Sequence, residues 1–166
     1  MCGIVGYIGK KQACPILLDG MSKLEYRGYD SAGIAVFQDG KIDVEKCVGR
    51  LQSLRDKIKG HEPKGTMGNG RPSDRNAHPH ADATGKFVVV HNGIIENYIE
   101  LREQLAEKGH VFLSETDTEV VAHLMAELYD GNFEQTVRNV LRRIEGSYSL
   151  VFMSAADGDK LICTKK

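Results

Sequence analysis

Cys2 is the first residue able to do chemistry. Once Met1 is removed, as a small second residue generally permits, Cys2 carries both a thiol and a free α-amine. Such an amine titrates at about 7.7–8.0, close to neutral, while an ordinary lysine stays protonated. One residue then supplies a nucleophile and a base within reach of it, directly or through one water. The plain alternative is that position 2 is incidental. Cys14, Cys47 and Cys163 lie far apart and form no CxxC pair, so they read as reduced thiols, most of them small core residues. His78, His80 and His91 invite a metal hypothesis, since His78-Pro-His80 has two imidazoles close together. No further Cys, Asp or Glu stands at convincing ligand spacing, so no metal is expected.

These residues need a scaffold. Residues 2–8 are short, β-branched and glycine-bounded, which predicts a strand starting at Cys2. From Pro15 a helical face carries Leu17, Leu18, Met21 and Leu24, and Gly28 is its expected stop. Residues 31–37 and 41–48 read as strands joined by an Asp39-Gly40 turn of type I′. Leu51, Leu54 and Ile58 mark a helix stopped by Gly60. Residues 60–85 show no apolar period and are expected to be irregular and functional. A buried strand over 87–91 is closed by Asn92-Gly93, which alone reads as a turn. Beyond it come a helix over 98–108, a short strand over 111–113, and a helix opened by Thr116-Asp-Thr-Glu119 at capping-box spacing. A further helix over 133–144 and a hairpin of 147–154 with 160–164 follow. Strands and helices in blocks predict an α+β arrangement of antiparallel sheet against helices.

Composition narrows the function. The chain has 166 residues, 41% hydrophobic and 27% charged, with 22 basic against 23 acidic side chains and a net charge of −1. That balance gives no electrostatic support for nucleic acid or an anionic membrane as partner. No apolar run reaches the ~20 residues of a membrane span, and no secretory signal is evident. Cytoplasmic localisation is the expectation.

Cys2-Gly-Ile-Val-Gly6, Leu24-Glu-Tyr-Arg-Gly-Tyr-Asp-Ser-Ala-Gly33, Asn76-Ala-His-Pro-His80, Val90-His-Asn-Gly-Ile-Ile-Glu-Asn97 and Ser114-Glu-Thr-Asp-Thr-Glu119 occur in this order. Together they resemble the glutaminase domain of the glucosamine-6-phosphate synthases, which are class II glutamine amidotransferases. The resemblance runs through nearly the whole chain. It implies an N-terminal-nucleophile hydrolase fold, a four-layer αββα sandwich with antiparallel sheets. It also implies hydrolysis of L-glutamine to glutamate and ammonia, for glucosamine 6-phosphate synthesis from fructose 6-phosphate, with no cofactor. Cys2 matches the nucleophile, and Asn92 and Gly93 match the oxyanion hole. Asp117 matches the aspartate that holds the α-ammonium of glutamine, and a helix cap is the competing reading. Arg27 matches an arginine that helps organise the site, with a surface ion pair as its alternative. The implied partners are L-glutamine, a sugar-phosphate isomerase domain in a longer enzyme, and a second copy, as a homodimer through that enzyme.

Two departures accompany the match. The family carries a stretch resembling His-Thr-Arg-Trp-Ala-Thr where Gly68 here runs straight into Asn69. It includes the arginine that pairs with the substrate α-carboxylate and the tryptophan of the loop that closes over glutamine. Arg71 and Arg75 match other family positions. The chain is also expected to be a partial glutaminase domain over 1–166, incomplete at its C-terminus and without the isomerase domain. Two other functions stay open: a catalytically inactive binding or dimerisation domain of the same fold, and an N-terminal-nucleophile hydrolase acting on another amide.

Overall fold

A computed structural model of the chain describes residues 3–24, 31–71 and 78–166. Cys2, Arg27 and the expected helix stop Gly28 lie outside the described residues. In chain order the elements are β1 (Val5–Ile8), α1 (Ala13–Ser22), β2 (Ser31–Gln38), β3 (Lys41–Val48), α2 (Leu51–Ile58), β4 (Met67–Arg71), β5 (His80–Ala81), β6 (Phe87–Ile95), α3 (Tyr98–Glu107), α4 (Asp117–Leu128), α5 (Phe133–Leu141), β7 (Gly146–Ser154) and β8 (Ile162–Lys165). They build two antiparallel four-stranded sheets, ordered β1-β4-β2-β3 and β5-β6-β7-β8.

Alternation along the strands stacks four layers. On β2, Ala32, Ile34 and Val36 face α1 and α2, joining Leu17, Met21, Leu54 and Ile58 in one core. The intervening Ala35 turns the other way and meets Met67, Val88 and Met153 between the sheets. On the far side, Phe87, Val89, Tyr148, Leu150 and Phe152 pack against α3, α4 and α5 in a second, larger core. The order is helices, sheet, sheet, helices, the αββα sandwich that the sequence resemblance implies. Both turn residues of the β2–β3 hairpin have positive φ, 50° at Asp39 and 78° at Gly40, as a type I′ turn requires.

Several sequence expectations need correction. The stretch over 60–85 is not irregular throughout, since β4 and β5 lie within it. β4 shows no apolar alternation because Gly68 and Gly70 face α1 at close range. A Cβ on Gly68 would come within 2.9 Å of Leu17, and one on Gly70 within 3.1 Å of the Met21 sulfur. No strand forms over 111–113. Leu113 and Ser114 donate their N–H groups to the Glu119 carboxylate, each at 2.7 Å, instead of to a neighbouring strand. α1 ends at Ser22, where Lys23 N–H turns back onto Asp19 O and Leu24 N–H onto Met21 O. Asn92-Gly93 does not close β6, which continues in register with β7 to Ile95. Of the three described cysteines, only Cys14 is buried, while Cys163 is exposed. No helix among the described residues is long and apolar enough to cross a membrane.

Candidate active site

The end of β6 and the start of α4 meet at one corner of the inner layer. Asn92 and Gly93 pair with Ser149 and Tyr148 of β7, so both are held by a sheet rather than by a flexible turn. Gly93 has φ 132°, and a Cβ there would stand 2.8 Å from Tyr148 Cα and closer still to Ser147 O. Only glycine fits that backbone, which leaves Gly93 exposed beside the half-buried Asn92.

Asp117 is the first residue of α4, and its Oδ2 accepts a 2.8 Å hydrogen bond from Ile95 N–H, three residues after Asn92 on β6. That bond ties the candidate oxyanion donors to the candidate ammonium acceptor. Asp117 is not the helix cap. Thr116 holds that place, its hydroxyl oxygen accepting from Glu119 N–H. A capping box would send the Glu119 carboxylate back to Thr116 N–H. Here it accepts instead from Leu113 N–H, Ser114 N–H and the Ser114 hydroxyl, the last at 2.6 Å.

Histidines complete the support. Thr118 donates its hydroxyl to Asp117 Oδ1 at 3.2 Å and lies 2.8 Å from His91 Nδ1. That geometry places a proton on His91 Nδ1, donated to the Thr118 oxygen. His91 N–H in turn donates to His78 Nδ1 at 3.2 Å, so His78 carries its ring proton on Nε2. His80 packs edge-on to His78, ring centres 4.8 Å apart, and its Nε2 lies 3.3 Å from the Thr116 hydroxyl. All three rings are buried. Among the described residues no His, Cys, Asp and Glu converge as a metal-binding group.

Electrostatics follow from these bonds. Burial opposes ionisation of Asp117. The His91 ring 3.7 Å from Oδ1, the Ile95 N–H and the Thr118 hydroxyl more than offset it, and the carboxyl sits below the ordinary aspartate range. Glu119 is buried too, yet His123 and the donors on Leu113 and Ser114 lower its pKa to about 2. Lys46 shares a face of β3 with Val44, which packs between the sheets. Burial lowers the Lys46 pKa, and the Glu119 carboxylate pulls it the other way.

The structure therefore brings Asn92, Gly93 and Asp117 together, while Cys2 and Arg27 lie outside the described residues. Sequence reasoning missed Ile95, Thr118 and Lys46. Thr118 adjoins Asp117 and could have been found as a polar residue on an otherwise apolar helix face. A backbone donor such as Ile95 N–H leaves no mark in a sequence.

An α+β sandwich of two antiparallel sheets and helices is the fold of N-terminal-nucleophile amidotransferases. A family model described as a glutamine amidotransferase domain matches residues 71–165, more than half of the chain. The chain belongs to that family. It is 51% identical over 174 positions to the glutamine–fructose-6-phosphate aminotransferase (isomerizing) of Caldanaerobacter subterraneus subsp. tengcongensis, covering 100% of this chain and 29% of that protein. The enzyme of the same name from Pyrococcus horikoshii is 49% identical over 176 positions, again with 100% of this chain and 29% of the relative covered. The chain thus spans less than a third of the length of these relatives and matches their N-terminal glutaminase domain. Among solved structures, a glutamine phosphoribosylpyrophosphate amidotransferase from B. subtilis superposes with a TM-score of 0.80 at 28% identity, over 93% of this chain and 35% of that one.

Proposed function

We propose that this chain hydrolyses L-glutamine to glutamate and ammonia. The Cys2 thiol attacks the side-chain amide carbon, and the α-amine of Cys2 takes the thiol proton and returns it to the departing nitrogen, releasing ammonia. Water then hydrolyses the thioester to glutamate. The Asn92 side-chain amide and the Gly93 N–H hold the oxyanion of each tetrahedral intermediate, where one such donor is typically worth ~10²–10³ in rate. Asp117 accepts the α-ammonium of glutamine, and Arg27 organises the nucleophile's surroundings. The chemistry needs a thiol, an amine and water, and no cofactor.

The observation that carries the reading is the Ile95–Asp117 hydrogen bond, which joins a candidate ammonium acceptor to the strand bearing Asn92 and Gly93. In the longer protein the ammonia would pass to a sugar-phosphate isomerase domain for glucosamine 6-phosphate synthesis, within a homodimer. Three free thiols, at Cys14, Cys47 and Cys163, favour a cytoplasmic setting. Asp117 favours glutamine over an amide without an α-ammonium group.

One observation favours a second reading, an inactive binding or dimerisation domain. β4 runs from Met67 to Arg71 without interruption, paired with β1 and β2, where the family carries its arginine and tryptophan stretch. The alignment to the Caldanaerobacter relative spans 174 positions against 166 residues here, eight more. Losing one partner of a buried charge pair costs about 2–5 kcal/mol, so glutamine should bind weakly. The deciding experiment measures glutamate release in three proteins whose N-termini have been read by intact mass. They are the natural chain, Cys2→Ala, and a variant with His-Thr-Arg-Trp-Ala-Thr inserted between Gly68 and Asn69. Cys2-dependent turnover is expected in the natural chain, with KM falling by roughly 30-fold or more on insertion. No Cys2-dependent glutamate release in either the natural or the inserted chain would leave the binding-domain reading standing.

A further inference from the structure

Both oxygens of the Asp117 carboxylate are tied to β6, one directly and one through a neighbour. Oδ2 accepts Ile95 N–H at 2.8 Å, and Oδ1 accepts the Thr118 hydroxyl at 3.2 Å. The Thr118 oxygen in turn lies 2.8 Å from Nδ1 of His91, which precedes Asn92 on β6. Thr118 and His91 are each 1% exposed, whereas the Asp117 side chain keeps 23% of its surface. The carboxylate is thus held from the interior and open toward solvent.

A hydroxyl has one proton to give. With that proton on the Asp117 oxygen, Thr118 accepts from His91 Nδ1–H, so that it donates one bond and accepts one. Turned toward His91 instead, it would leave the Thr118 and Asp117 oxygens facing each other at 3.2 Å with no hydrogen between them. The order His91 N–H, Thr118 O–H, Asp117 carboxylate satisfies both contacts.

The consequence lies in the freedom of the carboxylate. The last torsion of an aspartate is broad, so a carboxylate bonded at one oxygen still swings about that bond. A bond on the second oxygen fixes its plane. Of the roughly four acceptor positions on a carboxylate, the rest then point in set directions. Ile95 and His91 share β6 with Asn92 and Gly93, so the fixed acceptor also keeps a constant span from the candidate oxyanion donors. L-Glutamine carries its α-ammonium and its side-chain amide at a reach that such a span can select.

We infer that Thr118 is a positioning residue for glutamine selectivity: its hydroxyl, held by His91, fixes the Asp117 carboxylate so that it meets the α-ammonium while the amide carbonyl sits at Asn92 and Gly93. The inference rests on the glutaminase reading and adds to it a side chain that acts only through Asp117.

The test compares L-glutamine with glutaramate, the same amide acid without the α-ammonium, as substrates of the natural chain, Thr118→Val and Thr118→Ser. Valine keeps the shape and deletes the hydroxyl, while serine keeps the hydroxyl. The natural chain should prefer L-glutamine. In Thr118→Val that preference, as a ratio of kcat/KM values, should fall about tenfold, the loss lying in KM for L-glutamine, as expected when one hydrogen bond to a charged group is lost. Thr118→Ser should retain the preference. A purely structural hydroxyl would lower both turnovers in step with the folded fraction and leave their ratio alone. An unchanged ratio in Thr118→Val, or an equal fall in Thr118→Ser, would overturn the inference and leave the glutaminase reading intact. Absence of Cys2-dependent turnover in the natural chain would overturn both. Should Thr118→Val fail to fold, Thr118→Ala deletes the same hydroxyl without setting a methyl group against His91, and the ratio is read there.

Discussion

At the scale of single residues, the buried carboxylate Glu119 supports the corner that Asp117 occupies. It gathers three donors from Leu113 and Ser114, and Ser114 Oγ lies 3.0 Å from the cap hydroxyl of Thr116. Its folded-state pKa of about 2, against an ordinary 4.5, links protonation to stability. A depressed carboxylate pKa stabilises fully above the unfolded value and loses that contribution as pH falls through the folded one. The window therefore runs from about pH 4.5 down to about pH 2, and the contribution is about 3 kcal/mol for a side chain this buried. Glu119→Gln keeps the shape but turns an amide donor toward groups that already donate. Urea unfolding should find it less stable by about 2–4 kcal/mol at neutral pH, with the gap closing as pH falls through that window. A gap that persists unchanged near pH 2 would show that packing, not charge, holds the segment.

Among the elements, β4 departs furthest from what its residues would suggest. Met67 and Asn69 share the face turned toward the other sheet, and Asn69 is fully buried beside Gly6 and Ala35 with neither polar atom of its amide hydrogen-bonded. A buried amide left so costs about 1–3 kcal/mol, and valine suits a strand. Asn69→Val should therefore raise stability by about 1 kcal/mol or more in urea unfolding, and a loss would mean that the amide has a partner under those conditions. The same strand explains what a sequence can and cannot reveal. The β2–β3 hairpin, α2 and α3 were legible because a local signal, a turn pair or an apolar period closed by glycine, decided each one. β4 was not, since Gly68 and Gly70 make sense only against Leu17 and Met21, some fifty residues earlier in the chain. Residues 111–113 look like a strand and are not one, because a single carboxylate from the next helix takes the N–H groups of Leu113 and Ser114. The resemblance singles out Asn92, Gly93 and Asp117 as candidates, whereas the bond from Ile95 of the same strand to Asp117 comes from a backbone N–H, which no side-chain pattern reveals.

Across the whole molecule, each sheet and its helices are drawn from one continuous stretch of chain. Among the described residues, the first sheet uses nothing beyond Arg71, and the second nothing before His80. Their cores differ in size. Among the described residues, seventeen buried ones surround α4, β6 and β7, eleven lie under α1 and α2, and four (Ala35, Met67, Val88 and Met153) form the cluster between the sheets. Native-state hydrogen exchange should show this as two openings. Amides of β6, β7 and α4 should exchange only through global unfolding, while those of β1, β2 and β3 exchange through a smaller event of lower free energy. A single rate class spanning both sheets would show that the thin inner layer couples them fully.

The covalent link between Arg71 and His78 therefore does more than carry the chain from one sheet to the other. It makes docking of one half on the other an intramolecular event. One backbone break in the link would change docking from a first-order to a second-order process, and Asn92, Gly93 and Asp117 would then stand on a different molecule from Cys2.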